Sequence, residues 1–313
     1  MAFNNKQYIL LISISCGLYW FAFSMIRTII ALYANANGAT EWEIGVLLGV
    51  YAVFPFLLAI PVGGLIHRMD KVKLLRFGVL LMACSGGIYI FANQFWILLV
   101  AQIVAGIGQL FVWLIFQVMI TEGREEATKH AKMATFSLFI AFGQLLGPLL
   151  SGVLSDLLGY QSTFICYFAI CILLIILCFR IDDEKKELRR YSLHELLQTY
   201  KESISLLKNP GFVAALLFSF IVLFIIDVRM SFLPIYMNVL SFSNTMIGVL
   251  ISLASFAALL VKFFYPILMK RLGYKKVYIF FEFQENRLVV AAIFHVARSI
   301  KERLEEEVGD IVS

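Results

Sequence analysis

Three ionisable side chains in this sequence occupy positions where charge is expensive. Arg27 lies deep inside one long apolar run, and Asp227 and Arg229 lie inside another. Charged groups at such depth normally face a cavity, a partner or a pathway. Asp227 can therefore neutralise Arg27 or Arg229 across a central cavity, or take up and release a coupling proton. A buried charge pair that only locks two parts of the chain together fits the same pattern. Gln109, Trp113, Gln117 and Gln144 add amide and aromatic surface in other runs. Such a mixed surface suits an amphiphilic ligand, and hydrogen bonds between helices use the same residue types. Lys262 is expected to snorkel towards a membrane face.

These residues need apolar elements to hold them. The 313-residue chain is 61% hydrophobic and 15% charged, with 29 Phe, and its mean hydropathy is +0.87. That composition lies outside the soluble globular range, so lipid is the expected solvent. A spanning helix needs about 20 apolar residues. Eight stretches qualify, at 8–34, 44–66, 74–93, 95–120, 133–156, 160–180, 211–237 and 245–268. The first is too long for a signal-peptide core and reads as a retained span. Cys16, Cys84, Cys166, Cys171 and Cys178 fall in these runs without metal-ligand spacing. They read as reduced, small apolar packing residues.

The net charge of +5 is concentrated in alternate gaps. Those near 35–43, 93–95, 157–162 and 238–244 hold no Lys or Arg. The others hold Arg68, Lys71, Lys73 and Arg76, then Arg124, Lys129 and Lys132, and finally Lys270, Arg271, Lys275 and Lys276. The positive-inside rule places the basic gaps, the N-terminus and the C-terminal tail in the cytoplasm of a plasma-membrane protein. A nucleic-acid binder would gather its basic residues on one folded face, so that class is set aside. Between 181 and 210 a mixed-charge run, Asp182 to Glu187, precedes apolar residues at helical spacing from Tyr191 to Leu207. With Ser192 and Glu195 as a capping box, this segment reads as an amphipathic surface helix.

The chain also repeats itself at an offset of 203 residues. Tyr33 falls on Tyr236, Asn35 on Asn238, Ile44-Gly45-Val46-Leu47 on Ile247-Gly248-Val249-Leu250, and Leu65, Arg68 and Lys73 on Leu268, Arg271 and Lys276. Two related halves of a membrane protein follow from such a match.

At this point the chain resembles the major facilitator superfamily over residues 8–276. Gly63, Arg68, Lys71 and Lys73 match the family's loop signature between spans two and three, with His67 and Asp70 replacing its Asp and second Gly. Arg271 and Gly273 echo it in the second half. Gly143, Gly147, Pro148 and Gly152 in span five are similar to the signature of the family's drug and proton antiporters. Small residues four apart let helices approach closely, and Pro148 opens the backbone to bending. In span four Gln102 stands four residues before Gly106, where the family commonly has Arg. The resemblance implies a fold with six helices in its N-terminal half and a secondary transporter working by alternating access. It implies export of a small amphiphilic solute with protons as the drive. It also implies that the basic loop is a cytoplasmic latch, pairing with carboxylates through the planar Arg fork, with His67 able to add pH sensitivity. Anchoring at lipid headgroups is the plainer role of the same cations.

The expected architecture is an all-α polytopic membrane protein. It has six spans at 1–180, a cytoplasmic linker at 181–210, two spans of a second half at 211–276, and a non-membrane tail at 277–313. The tail reads as a β-hairpin around Glu285-Asn286 and a charged helix near 300–308. Its Phe294, His295 and Arg298 resemble the end of a RelE/ParE-type toxin. Four further spans would be needed to complete the second half. A truncated or fused chain without transport activity is therefore the alternative expectation, and a homodimer is one way to complete the cavity. No phosphate loop, metal spacing or nucleophile constellation points to an enzyme or an ATP-driven pump, and no cofactor is expected.

Overall fold

A computed structural model of the chain describes residues 5–66, 69–121, 126–181, 208–253, 255–256 and 259–260. Among these residues there are α-helices and no strand. In chain order the helices are α1 (Asn5–Ala36), α2 (Glu41–Ile66), α3 (Lys71–Ile90), α4 (Phe95–Thr121), α5 (Glu126–Leu158), α6 (Tyr160–Phe179) and α7 (Pro210–Val239). They are followed by α8 (Asn244–Leu253). Segments of α1 to α6 are long and apolar enough to cross a membrane. The 27 residues of α4 rise about 40 Å, more than the roughly 30 Å hydrocarbon core requires. The first six expected spans are thus found with shifts of a few residues. The seventh is a continuous helix of 30 residues, and α8 covers the start of the eighth.

Short local signals fix where these helices begin. Thr40 and Glu43 form a reciprocal capping box ahead of α2. The Thr40 N–H donates to Glu43 Oε2 at 2.8 Å, and the Glu43 N–H donates to Thr40 Oγ1 at 3.3 Å. Asp70 caps α3 by accepting the N–H groups of Val72 and Lys73 at 3.0 and 3.1 Å. That cap starts α3 at Lys71, three residues before the expected 74. One residue, Gly159, joins α5 to α6 at φ +82° and ψ 164°, a region essentially open only to glycine. Ahead of α7, Asn209 accepts the Gly211 N–H at 2.9 Å, and Pro210 fills the first helical position, where its missing N–H costs nothing.

Contacts divide the chain into two compact units, Met1–Leu196 with Met230–Leu259, and Leu197–Arg229 with Leu260–Ser313. In the first, α1 packs chiefly on α5 and also on α6, α3 lies against α4 and α6, and α2 lies on α4. Tyr19, Tyr89, Phe116, Phe136 and Phe164 are among the largest fully buried side chains of this core. Tyr33 donates its hydroxyl to the Ala92 carbonyl at 2.8 Å, tying the end of α1 to the α3–α4 turn. In the second unit, Phe220 and Phe224 stack one helical turn apart on α7, with ring centroids 6.0 Å apart.

All five cysteines are free thiols. Cys16, Cys171 and Cys178 are buried as expected of packing residues, whereas Cys84 is exposed on α3. His67, Arg68, the linker helix with its Ser192–Glu195 box, Lys262, Arg271, Gly273 and the 277–313 tail lie outside the described residues.

Candidate functional site

Arg27 lies in the C-terminal half of α1, and its guanidinium carbon stands 5.6 Å from the centroid of the Tyr51 ring on α2. Cation–π attraction of this kind strengthens when water is excluded. Five helices contribute to the small pocket beside it. Phe23 and Arg27 come from α1, Tyr51 from α2, Met82 from α3 and Gln102 from α4, with Tyr167 added by α6. Gln102 is 2% exposed and accepts the Tyr89 hydroxyl at 3.2 Å. One turn away, Ser85 and the Tyr167 hydroxyl are 3.3 Å apart. The position where the resembled family has Arg thus carries an uncharged amide, tied into a buried tyrosine network. Close by, Gly106 lets α2 and α4 touch, because a Cβ there would collide with the Tyr51 carbonyl.

Gln109, Trp113 and Gln117 follow one another at four-residue intervals on α4, a single helix face, and all three are half-buried. Trp113 meets Trp20 edge-on at 5.2 Å and stacks with Tyr19 at 6.5 Å. Trp20 in turn meets Phe23 at 5.1 Å, and Phe23 lies 6.1 Å from Tyr51. An aromatic wall therefore runs from the expected cavity face of α4 to the Arg27 pocket. Tyr19 has the Gln109 amide as a polar neighbour. Gln144 is half-buried on α5. Asp227 and Arg229 are carried by α7, and their side chains lie outside the described residues.

The span-five motif is a two-sided seam. Gly143 and Gly147 face α1. A Cβ on Gly143 would meet the Gly17 carbonyl, and one on Gly147 would meet the Ser24 hydroxyl and, at 2.7 Å, the Phe21 carbonyl. Ser24 uses that proximity to donate to the Gly143 carbonyl at 3.0 Å. Pro148 and Gly152 face α8 instead, where Gly248 approaches the Pro148 carbonyl and Gly152 approaches Asn244. Gly248 is the repeat counterpart of Gly45. Ser252 closes the seam by donating to the Leu145 carbonyl at 2.6 Å.

The basic loop is shorter than the 63–73 motif. Residues 63–66 belong to α2, Lys71 and Lys73 belong to the first turn of α3, and Asp70 is the N-cap. Among the described residues, a Cβ on Gly63 would meet nothing within 4 Å. Lys73 lies 3.6 Å from Asp70 in a solvated pair, and Lys71 is 2% exposed.

Two charged residues outside the expected site prove structural. Asp156, at the end of α5, accepts the backbone N–H groups of Asn244 and Thr245 at 3.1 and 2.7 Å. Its negative charge meets the positive end of the α8 dipole. Arg76, counted among the topology-setting cations, donates from Nε to the Cys178 carbonyl at 3.2 Å and from Nη2 to Ile181 at 3.1 Å. It thereby satisfies carbonyls that α6 leaves open.

A family model described as Major Facilitator Superfamily matches residues 12–283. The multidrug resistance protein MdtG of Proteus mirabilis is 27% identical over 289 residues, covering 88% of this chain and 71% of that protein. An uncharacterised transporter of the same type from Methanocaldococcus jannaschii, MJ1560, is 29% identical over 159 residues. That match covers 50% of this chain and 41% of the archaeal protein, so the chain aligns with well under two thirds of that relative's length. Among solved structures, a bacterial homolog of the human lysosomal transporter Spinster, crystallised inward-facing and occupied, superposes with a TM-score of 0.69 at 17% identity. It covers 87% of this chain and 63% of the solved one.

Proposed function

Because the chain belongs to the major facilitator superfamily, a family of transmembrane transporters, we propose that it exports a small amphiphilic solute by alternating access, driven by a proton gradient. The observation that carries this reading is the aromatic wall of Trp20, Phe23 and Trp113, which leads to the membrane-embedded cation Arg27. That surface offers an apolar body and a polar head at once. Resemblance of the span-five motif to antiporters, and a multidrug resistance protein among the relatives, favour outward transport.

In this reading Asp227, a carboxyl group within the apolar α7, takes up the coupling proton. Gln109, Gln117 and Gln144 line the path. Arg68, Lys71 and Lys73 latch the cytoplasmic side, with the echo at Arg271 and Gly273. Both chain ends face the cytoplasm, the membrane is the plasma membrane, and 181–210 links the two related halves.

The test is flux in sealed proteoliposomes. With an imposed pH gradient, uptake of a fluorescent amphiphile should exceed that of protein-free vesicles and collapse on adding a protonophore. Asp227→Asn should insert normally and lose the gradient-driven component. Gradient-driven flux unchanged in that variant removes Asp227 from the mechanism, and absence of flux in the unmodified chain removes the transport reading.

A further inference from the structure

The 203-residue repeat extends into the turn that starts α8 and breaks there at one side chain. Gly38 and Ser241 are counterparts, and both have left-handed backbone, at φ +81° and +64°. The hydrogen bonds around them coincide. Gly38 and Ala39 donate to Asn35 and Ala34 as Ser241 and Phe242 donate to Asn238 and Met237, all at 2.9–3.1 Å. Thr40 accepts the Glu43 N–H at 3.3 Å, and Ser243 accepts the Met246 N–H at 3.2 Å. Glu43 then closes its box by accepting the Thr40 N–H. Met246 carries no oxygen to do so, and no Asp or Glu stands between 240 and 250. The carboxylate at the start of α8 comes instead from Asp156 on α5.

We infer that Asp156 is a clasp between the two related halves, and that its release sets how often the α5–α8 seam opens on the clasped side. The inference deepens the alternating-access reading above and rests on it. A helix with its own capping box keeps its cap whatever its neighbours do. A helix capped from another element loses the cap when the two part, and α8 is of this second kind.

The position of the contact suits that role. α5 lies in the first half, and α8 is the counterpart of α2 in the second. The flanking loops, 157–162 and 238–244, hold no Lys or Arg, and the positive-inside rule puts such loops on the non-cytoplasmic side. Alternating access rocks one half against the other. Opening to that side must therefore uncover the Asn244 and Thr245 N–H groups.

The other polar contacts at this level are neutral. The Asn244 amide donates to the Tyr160 hydroxyl at 3.2 Å, and the Thr245 hydroxyl donates to the Gly152 carbonyl at 3.4 Å. Below them the seam continues through Gly248 to Ser252, which is 4% exposed. The Asp156 contact itself is open to solvent, so water can replace the carboxylate when the helices part. Such a clasp biases an equilibrium and does not lock it.

The experiment uses the full chain in phosphatidylcholine nanodiscs, without solute or gradient. Ser252→Cys, a one-atom change, sets a thiol on the seam two turns below the clasp. Its modification by a charged maleimide is followed by mass spectrometry of the peptide carrying residue 252. When opening and closing are faster than labelling, the rate follows the open population, so even rare opening is read. Adding Asp156→Ala should speed labelling about fivefold, the change in ratio that one lost helix cap supplies. Asp156→Asn, which keeps a neutral acceptor, should give a smaller rise. Cys171, buried on α6, should label no faster in either variant.

A second substitution separates a clasp from a local cap. Met246 is 47% exposed, so Met246→Glu can close a box with Ser243 as Glu43 does with Thr40. In the Asp156→Ala background it should restore slow hydrogen exchange at 244–247 and leave labelling at 252 fast, because the new cap lies within α8. Labelling that returns to the parent rate once exchange is restored overturns the inference, as does an unchanged or slower rate in Asp156→Ala alone. A matching rise at Cys171 means general loosening of the bundle and overturns it too. The readout needs no flux. A chain whose seam responds in this way yet moves no solute keeps the clasp and loses the transport reading.

Discussion

The carboxylate of Asp156 accepts the Thr245 backbone N–H at 2.7 Å, so the end of α5 caps the beginning of α8 across 89 residues of sequence. The same carboxylate takes the Asn244 N–H at 3.1 Å. Two of the donors that a helix leaves open at its start are thereby satisfied by a neighbouring helix. Asp156→Ala should lower the stability of the purified protein by about 1 kcal/mol, the usual cost of losing an N-cap. Asp156→Asn keeps a neutral acceptor and should lose less. Thermal unfolding in detergent reads the difference, and hydrogen exchange at 244–247 should accelerate in the Ala variant. An unchanged melting temperature and exchange rate in that variant would show that the cap contributes nothing.

Glycine in the α5 seam and glycine on α2 should respond in opposite directions. Gly147→Ala places a methyl group against the Ser24 hydroxyl and the Phe21 carbonyl, both on α1. The helices must separate, and overpacking of this kind costs about 1–3 kcal/mol. Gly49 is equally a mid-helix glycine, but a Cβ there meets no atom of the described residues within 4 Å. Gly49→Ala should therefore be neutral or stabilise by up to about 1 kcal/mol through backbone entropy. A Gly147→Ala protein as stable as its parent, measured in the same unfolding assay, would mean that α1 and α5 are not in close contact.

The difference between these residues also marks what could be read from sequence. Lipid imposes length and apolarity on each span, so α1 to α6 were legible from composition and spacing alone. Gly143, Gly147, Pro148 and Gly152 were legible as one motif, but not as two faces serving different helices, because four-residue spacing does not say which neighbour each face meets. Arg27 was legible because charge in an apolar run is costly. Gln102 was legible only as the residue in the resembled family's Arg position, not as a neighbour of Arg27, and Tyr51 and Tyr167 were not legible at all, since no spacing links residues on different helices and tyrosine also serves as an ordinary packing residue. Asp156 was hidden for the same reason, with its partners 88 and 89 residues away.

Thiol reactivity should follow the burial pattern. Cys84 is exposed on the membrane-length α3, whereas Cys16 and Cys171 are buried. A lipid-soluble pyrene maleimide should modify Cys84 first in intact membranes, and Cys16 and Cys171 only after unfolding. A charged, impermeant maleimide should leave Cys84 unmodified, because the residue lies within an apolar span. Mass spectrometry of the labelled peptides decides. Labelling of Cys171 as fast as Cys84 by the lipid-soluble reagent would contradict the packing of α6 against α3.

Arg76 should resist conservative replacement for a geometric reason. Its guanidinium reaches from α3 to the end of α6, donating to Cys178 at 3.2 Å and Ile181 at 3.1 Å, while its carbon stands 4.8 Å from the Phe179 ring centroid. The fork serves two carbonyls at once and sets a positive charge at the negative end of the α6 dipole. Arg76→Leu removes the charge and leaves those carbonyls without this partner, which should cost about 1–3 kcal/mol. Arg76→Lys keeps the charge but offers a point ammonium, and should lose about half as much. The discriminating readout is local, because hydrogen exchange over 176–181 should rise in the order parent, Lys, Leu. If the Lys variant matches the parent in both stability and exchange, charge alone holds the end of α6 and the fork is immaterial.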